Sequence, residues 1–245
     1  MFERQIDIET RAGQMTTFIC HPERGGPHPA VIFYMDAPGI REELRDMSRR
    51  LGTAGYYVML PNLYYRSGAM ELGPLSSDPA DPSRKRMFDL MESLSISMIM
   101  QDTQALIDLM ATDPAASTGH MGAVGYCMSG QYAISAAAHF PERFAAAASV
   151  YGVRLVTDNA DSPHLVSAKA KAELYFACAE TDSWAPPEMI TALTEHLAGN
   201  GANAEVEVYA NTHHGFAFPQ RPVYDKPAAE RHWERLLALF DRQLR

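Results

Sequence analysis

The sequence predicts an α/β fold in a single domain, with a mostly parallel sheet covered by helices on both faces. Two observations carry this reading: short apolar runs that recur along the chain, and segments of helical spacing that lie between them. The runs at 30–35, 56–60, 121–126, 145–151, 173–179 and 205–210 read as buried strands. Helices are expected at 41–51, which is amphipathic, at 95–110, at the Ala-rich 131–139, and at 187–197 and 228–244. Strands joined by helices imply right-handed crossovers, and ligands of such sheets bind beyond the carboxyl ends of the strands. Residues that directly succeed each apolar run are therefore the candidates for chemistry.

No repeat, low-complexity tract or linker divides the 245 residues, so one domain is expected. Residues 64–82, rich in Gly, Pro and Ser, read either as a lid over a site or as a solvated excursion. A net charge of −9 argues against a nucleic-acid or anionic-membrane partner. Charged residues interleave the first thirty positions, and the most apolar stretch, 144–153, is too short to span a bilayer, so a cytoplasmic chain is expected. The three cysteines, Cys20, Cys127 and Cys178, show neither a disulfide framework nor a C-x-x-C spacing.

Cys127 stands out by its neighbours. The run 121–126 ends in Gly125-Tyr126-Cys127-Met128-Ser129-Gly130 and an Ala-rich helix comes next. A sharp strand-to-helix turn needs small residues two before and two after its apex, because side chains there meet the neighbouring backbone. Gly125 and Ser129 meet that need for Cys127, whereas Ser129 as apex would be flanked by Cys127 and Gln131. A thiol at the apex faces helix N–H groups that favour thiolate, and the Met128 N–H would face an oxyanion. The competing reading of Cys127 is a small buried hydrophobe.

Partners come in order. Asp182 lies just past the run 173–179, and His214 lies in the loop after 205–210. Nucleophile, acid, histidine is the chain order of α/β-hydrolases, with the imidazole taking the thiol proton and the carboxylate orienting the imidazole. Glu180 and His213 are the rivals for these two positions; the bland alternatives are that Asp182 caps the next helix and His214 is an ordinary loop residue.

These segments resemble the dienelactone hydrolases (carboxymethylenebutenolidases). Gly125-Tyr126-Cys127 with Gly130 is similar to that family's cysteine elbow, and Asp182 and His214-Gly215-Phe216 are similar to its acid and histidine segments. Pro61-Asn62-Leu63-Tyr64 and Val150-Tyr151-Gly152-Val153 extend the resemblance over nearly the whole chain. The resemblance implies an α/β-hydrolase fold; His120, His139 and His164 show no ligand spacing and the His213-His214 pair alone is weak evidence for a metal, so neither metal nor cofactor is expected. The resemblance also implies that Asp36 stands where a glutamate supports the thiol, the alternative being a helix cap, and that the Ala37 N–H completes the oxyanion hole. Arg84 stands at the place of the first of two arginines that hold a substrate carboxylate. Phe218 occupies the place of the second, and Arg221, three residues on, is the nearest replacement.

The function expected is hydrolysis of a small ester or lactone through a thioester at Cys127, with dienelactone-like lactones leading as the resemblance implies. A broader esterase or thioesterase is the second expectation, and a non-catalytic ligand-binding or thiol-sensing relative is the third.

Overall fold

The computed structural model describes every residue except 74–77 and 79, and it separates into two compact units, Met1–Thr118 and Gly119–Arg245. The lid reading of 64–82 falls partly on residues outside those described.

In the first unit a hairpin of β1 (Phe2–Thr10) and β2 (Gly13–His21) joins two core strands, β3 (Ala30–Tyr34) and β4 (Tyr57–Pro61). Strand β2 runs antiparallel to both β1 and β4, and β3 runs parallel to β4. The two core strands are expected from sequence, but the hairpin is not. Strand β1 alternates, with Glu3, Gln5, Asp7 and Glu9 directed outward. Charge along an outer strand discourages pairing with other chains and also hides the strand from a search for continuous apolar runs.

Helix α1 (Glu42–Thr53) buries Leu44, Met47 and Leu51. Helix α2 (Pro82–Glu92) begins where Asp81 accepts a hydrogen bond from the Ser83 N–H and Pro82 occupies the first turn. The basic cluster Arg84-Lys85-Arg86 is part of this helix. Helix α3 (Ile96–Thr112) is capped by Ser95, whose hydroxyl accepts from the Met98 N–H.

The second unit is a run of four parallel strands: β5 (Met121–Tyr126), β6 (Phe144–Val150), β7 (Glu173–Thr181) and β8 (Ala204–His213). Helix α4 (Gly130–His139), the single turn α5 (Pro163–Val166), α6 (Pro187–Asn200) and α7 (Lys226–Leu244) complete it. Strands β5 and β6 are almost wholly buried, which is why their sequences carry no polar alternation. A register shift between Ala179 and Thr181 breaks the β7–β8 ladder just before Asp182 and pairs Thr181 with His213. The shift leaves the two strand ends paired, so that Asp182 and His214 come directly after neighbouring residues. Among the described residues, no helix is long and apolar enough to cross a membrane.

Candidate active site

Strand β5 ends at Tyr126, and Cys127 opens a single 3-10 turn that runs into α4. Its backbone is left-handed, with φ of 56°. A non-glycine residue in that region is held there at a cost of roughly 1–3 kcal/mol by its surroundings. The surroundings are glycines where nothing larger fits. A Cβ on Gly125 would lie 2.0 Å from the Ser129 carbonyl oxygen, and one on Gly130 would lie 2.5 Å from the Gly152 Cα. The Val153 N–H donates to the Cys127 carbonyl at 3.1 Å and ties the turn to the segment after β6. The small residue expected at Gly125 is thus required by backbone contact. Ser129 is fully buried beneath the turn.

The His214 ring stands between two partners. Its Nδ1–H donates to Asp182 Oδ2 at 2.7 Å, and its Nε2 lies 3.1 Å from Cys127 Sγ. The other oxygen of Asp182 accepts from the Trp184 N–H at 2.8 Å and the Ala185 N–H at 3.2 Å, so the carboxylate is fixed by the loop as well as by the imidazole. Asp182 does not cap α6, whose N-cap is Pro186 without a side-chain bond.

The rivals have other partners or positions. Glu180 accepts from the Asn211 N–H at 2.7 Å, strapping the end of β7 to the end of β8, and His213 is exposed at the strand end. Nothing in the composition of Glu180-Thr181-Asp182 distinguishes the strap from the acid; the ladder shift at Thr181 does.

Burial would lower the pKa of His214, but attraction and hydrogen bonding to Cys127 and to Asp182 outweigh it and lift the value to about 10. The same surroundings favour an imidazolium beside the sulfur. The other two cysteines are buried and their thiols are pushed up to about 12 by burial, which keeps them inert.

Tyr151 packs its ring edge-to-face against His214, with centroids 5.1 Å apart. Sequence gives no sign of this contact, because an aromatic at a strand end looks like core.

Asp36 and Ala37 come after β3 in the first unit. Asp36 is fully buried and Arg41 grips it with both terminal nitrogens, at 2.6 and 3.1 Å, while also holding Glu43 at 2.7 Å. The capping alternative for Asp36 does not hold: the N-cap of α1 is Arg41 and no side chain caps the helix, while both Asp36 carboxylate oxygens meet the Arg41 guanidinium. The Ala37 carbonyl accepts from the Tyr64 hydroxyl at 2.9 Å.

Arg84 is half-buried in the first turn of α2. Phe218 is fully buried, its ring 5.4 Å from that of Tyr126 and 6.0 Å from that of Tyr151, and the Arg221 guanidinium lies over it at 5.3 Å. Position 218 is thus a core position in this chain. Among the described residues, no three His, Cys, Asp or Glu side chains are grouped so as to hold a metal ion.

The strand–turn–helix that bears Cys127 and the strand pattern are those of an α/β-hydrolase. In agreement, a crystal structure titled "Putative Dienelactone Hydrolase" from Klebsiella pneumoniae subsp. pneumoniae matches with a TM-score of 0.87 at 24% identity, over 98% of both chains, a likeness of fold. The profile of the Dienelactone hydrolase family matches residues 15–244, and the chain belongs to that family of hydrolases. Among curated relatives, a protein of Yersinia pestis named "Putative carboxymethylenebutenolidase" is 30% identical over 96% of this chain and 86% of its own length. One of the same name from Escherichia coli K12 is 28% identical over 95% of this chain and 84% of its own.

Proposed function

We propose that this chain, acting as a single domain, hydrolyses small carboxylic esters or lactones through a thioester acyl-enzyme at Cys127, with His214 as base and acid and Asp182 as its orienting carboxylate. The observation that carries the reading is the His214 ring held between Asp182 Oδ2 and Cys127 Sγ at hydrogen-bond distance on both sides. With Nδ1–H committed to Asp182, Nε2 is the nitrogen that takes the thiol proton.

In the first half-reaction the thiolate sulfur attacks the carbonyl carbon, forming a C–S bond, and the carbonyl electron pair moves to oxygen. The Met128 N–H at the start of the turn receives that oxyanion. As the tetrahedral intermediate collapses, the C–O bond to the alcohol breaks and His214 returns its proton to the leaving oxygen. In the second half, His214 removes a proton from water, the hydroxide oxygen attacks the thioester, and the acid leaves as sulfur regains its thiolate form. On the resemblance to the family we also propose the Ala37 N–H for the oxyanion, Asp36 for the support of the thiol and Arg84 for a substrate carboxylate. Three free cysteines suit the reducing cytoplasm, where the thiol would stay available.

One observation favours a broader ester preference over a strictly anionic lactone. Phe218 is buried core where the family places its second carboxylate-binding arginine, and Arg221 is engaged with the Phe218 ring. A single arginine, Arg84, leaves a weaker anion clamp than two.

The test compares an anionic dienelactone with a neutral aryl acetate, using wild type and Cys127→Ala. Turnover of either compound by wild type, with none by the folded variant, supports the reading. Wild-type rates in the variant remove it, and turnover of neither compound leaves the ligand-binding alternative as the better account.

A further inference from the structure

Behind His214 lies an aromatic bank that the proposed reaction does not use. Tyr151 is its centre: its ring centroid is 5.1 Å from that of His214, 5.4 Å from Phe216, 5.9 Å from Tyr126 and 6.0 Å from Phe218. Its backbone stands in the left-handed region at φ 37°, where a bulky residue is an outlier and glycine the usual occupant. Such strain persists only where neighbours impose it.

The imposing contacts are identifiable. The Tyr151 N–H donates to the Ala177 carbonyl of β7 at 2.6 Å, and the Val153 N–H donates to the Cys127 carbonyl at 3.1 Å. Between them, Gly152 approaches so closely that a Cβ there would lie 2.1 Å from the Ser149 Oγ and 3.1 Å from the Gly130 Cα. The bend after β6 is therefore clamped between the strand that leads to Asp182 and the turn that bears Cys127. A tyrosine carried through this bend is delivered to the side of the imidazole, where glycine would leave a gap.

We propose that Tyr151 is a positioning residue for His214, its ring holding the imidazole plane in line between Asp182 Oδ2 and Cys127 Sγ. The inference rests on the thiol reading of the site. Two hydrogen bonds fix the ends of the imidazole but leave rotation about the line that joins them; an edge-to-face neighbour at 5.1 Å opposes that rotation. The ionisable groups that bear on His214 are Cys127, from the turn after β5, and Asp182, from the loop after β7.

The competing account is that Tyr151 only fills core volume. Three variants separate the two: Tyr151→Phe keeps the ring, while Tyr151→Leu and Tyr151→Met fill space without it. The readouts are kcat and KM for a neutral ester, and the pH profile of Cys127 alkylation by iodoacetamide tracked by mass spectrometry. Alkylation needs no knowledge of the natural substrate.

The Phe variant is expected to stay within about twofold of wild type in every readout. The Leu and Met variants are expected to lose about tenfold or more in kcat with KM nearly unchanged, as misorientation of a catalytic group does. Their fast alkylation near neutral pH, the window that the thiolate–imidazolium pair opens, slows as that pair weakens, while alkylation of free thiolate at high pH remains. Wild-type kcat and an unchanged window in a folded Leu or Met variant overturn the proposal, as does a large loss in the Phe variant. If neither Leu nor Met folds, NOEs between the His214 and Tyr151 rings in the wild type decide: their presence, with a wild-type-like Phe variant, supports it, and their absence overturns it. Failure of the thiol reading is distinguishable, because there Cys127→Ala keeps its activity whatever the Tyr151 variants do.

Discussion

Asp182→Asn tests the roles of the two histidine nitrogens with almost no change of shape. In the native protein Asp182 Oδ1 accepts two backbone N–H groups, at 2.8 and 3.2 Å, and Oδ2 accepts the His214 Nδ1–H at 2.7 Å. An asparagine must keep its carbonyl oxygen toward the two N–H donors, because turning its NH2 there would set donor against donor. Its NH2 then faces Nδ1, which must become an acceptor. The remaining proton moves to Nε2, where it points at Cys127 and the nitrogen can no longer take the thiol proton. A substitution that forces the wrong tautomer in this manner costs about 10⁴ in kcat in a serine protease, and a loss of about 10²–10⁴ is expected here.

The variant also tests a pH signature. His214 is lifted from 6.5 to about 10, against the effect of burial, by Cys127 and Asp182. A group whose folded pKa is raised contributes stability that is complete below the unfolded value, near 6.5, and is lost as pH rises through about 10. At about 1.4 kcal/mol per tenfold, the contribution is a few kcal/mol at most. Denaturant melts of wild type should therefore lose stability between pH 7 and 10 more steeply than those of Asp182→Asn. The assay is ester turnover beside these melts. A folded Asp182→Asn with kcat within about fivefold of wild type would refute the assigned role.

Gly125→Ala places a methyl 2.0 Å from the Ser129 carbonyl oxygen, a backbone atom that cannot swing away; a loss of about 3 kcal/mol or collapse of the turn with its activity is expected, read by melting and turnover. Arg41→Met strips the fully buried Asp36 of its bidentate partner; breaking a buried pair costs about 3–5 kcal/mol, and at about 2–4 °C per kcal/mol the melting temperature should fall by roughly 10 °C. Arg84→Gln should raise KM for an anionic lactone by about 10–100-fold, the worth of hydrogen bonds to a charged group, and leave that for a neutral aryl ester unchanged. Equal effects on both substrates would assign Arg84 a structural role only.

Strands β3 to β7 and most helices are legible in the sequence because burial writes a nearly unbroken apolar run; β8, expected as buried, instead exposes Glu205, Val208 and Ala210. Helix α4 and the strand before it, Met121–Tyr126, are foreseen nearly to the residue. The hairpin β1–β2 is not, since its outward residues alternate charge with apolar positions along an outer strand. Helix α2 escapes notice because its signal is an Asp-Pro start beside a Gly- and Pro-rich stretch. At the site, the order of Cys127, Asp182 and His214 can be read from the residues just past each strand. The separation of Asp182 from Glu180 cannot, because it depends on a ladder shift between Ala179 and Thr181. Nor can the fate of Asp36, whose partner Arg41 lies five residues on and looks from sequence like the start of a helix. Phe218 is legible as a departure from the family, but its burial among Tyr126 and Tyr151 is a fact of packing alone.

The central claim is that sulfur of Cys127 carries the acyl group, and intact-mass and peptide mapping of wild type quenched in acid during turnover of a slow ester test it directly. The account predicts an added acyl mass on the peptide that contains Cys127, labile to hydroxylamine, and its absence together with activity in Cys127→Ala. Turnover by wild type with no adduct on that peptide, and undiminished turnover by a folded Cys127→Ala, would contradict it.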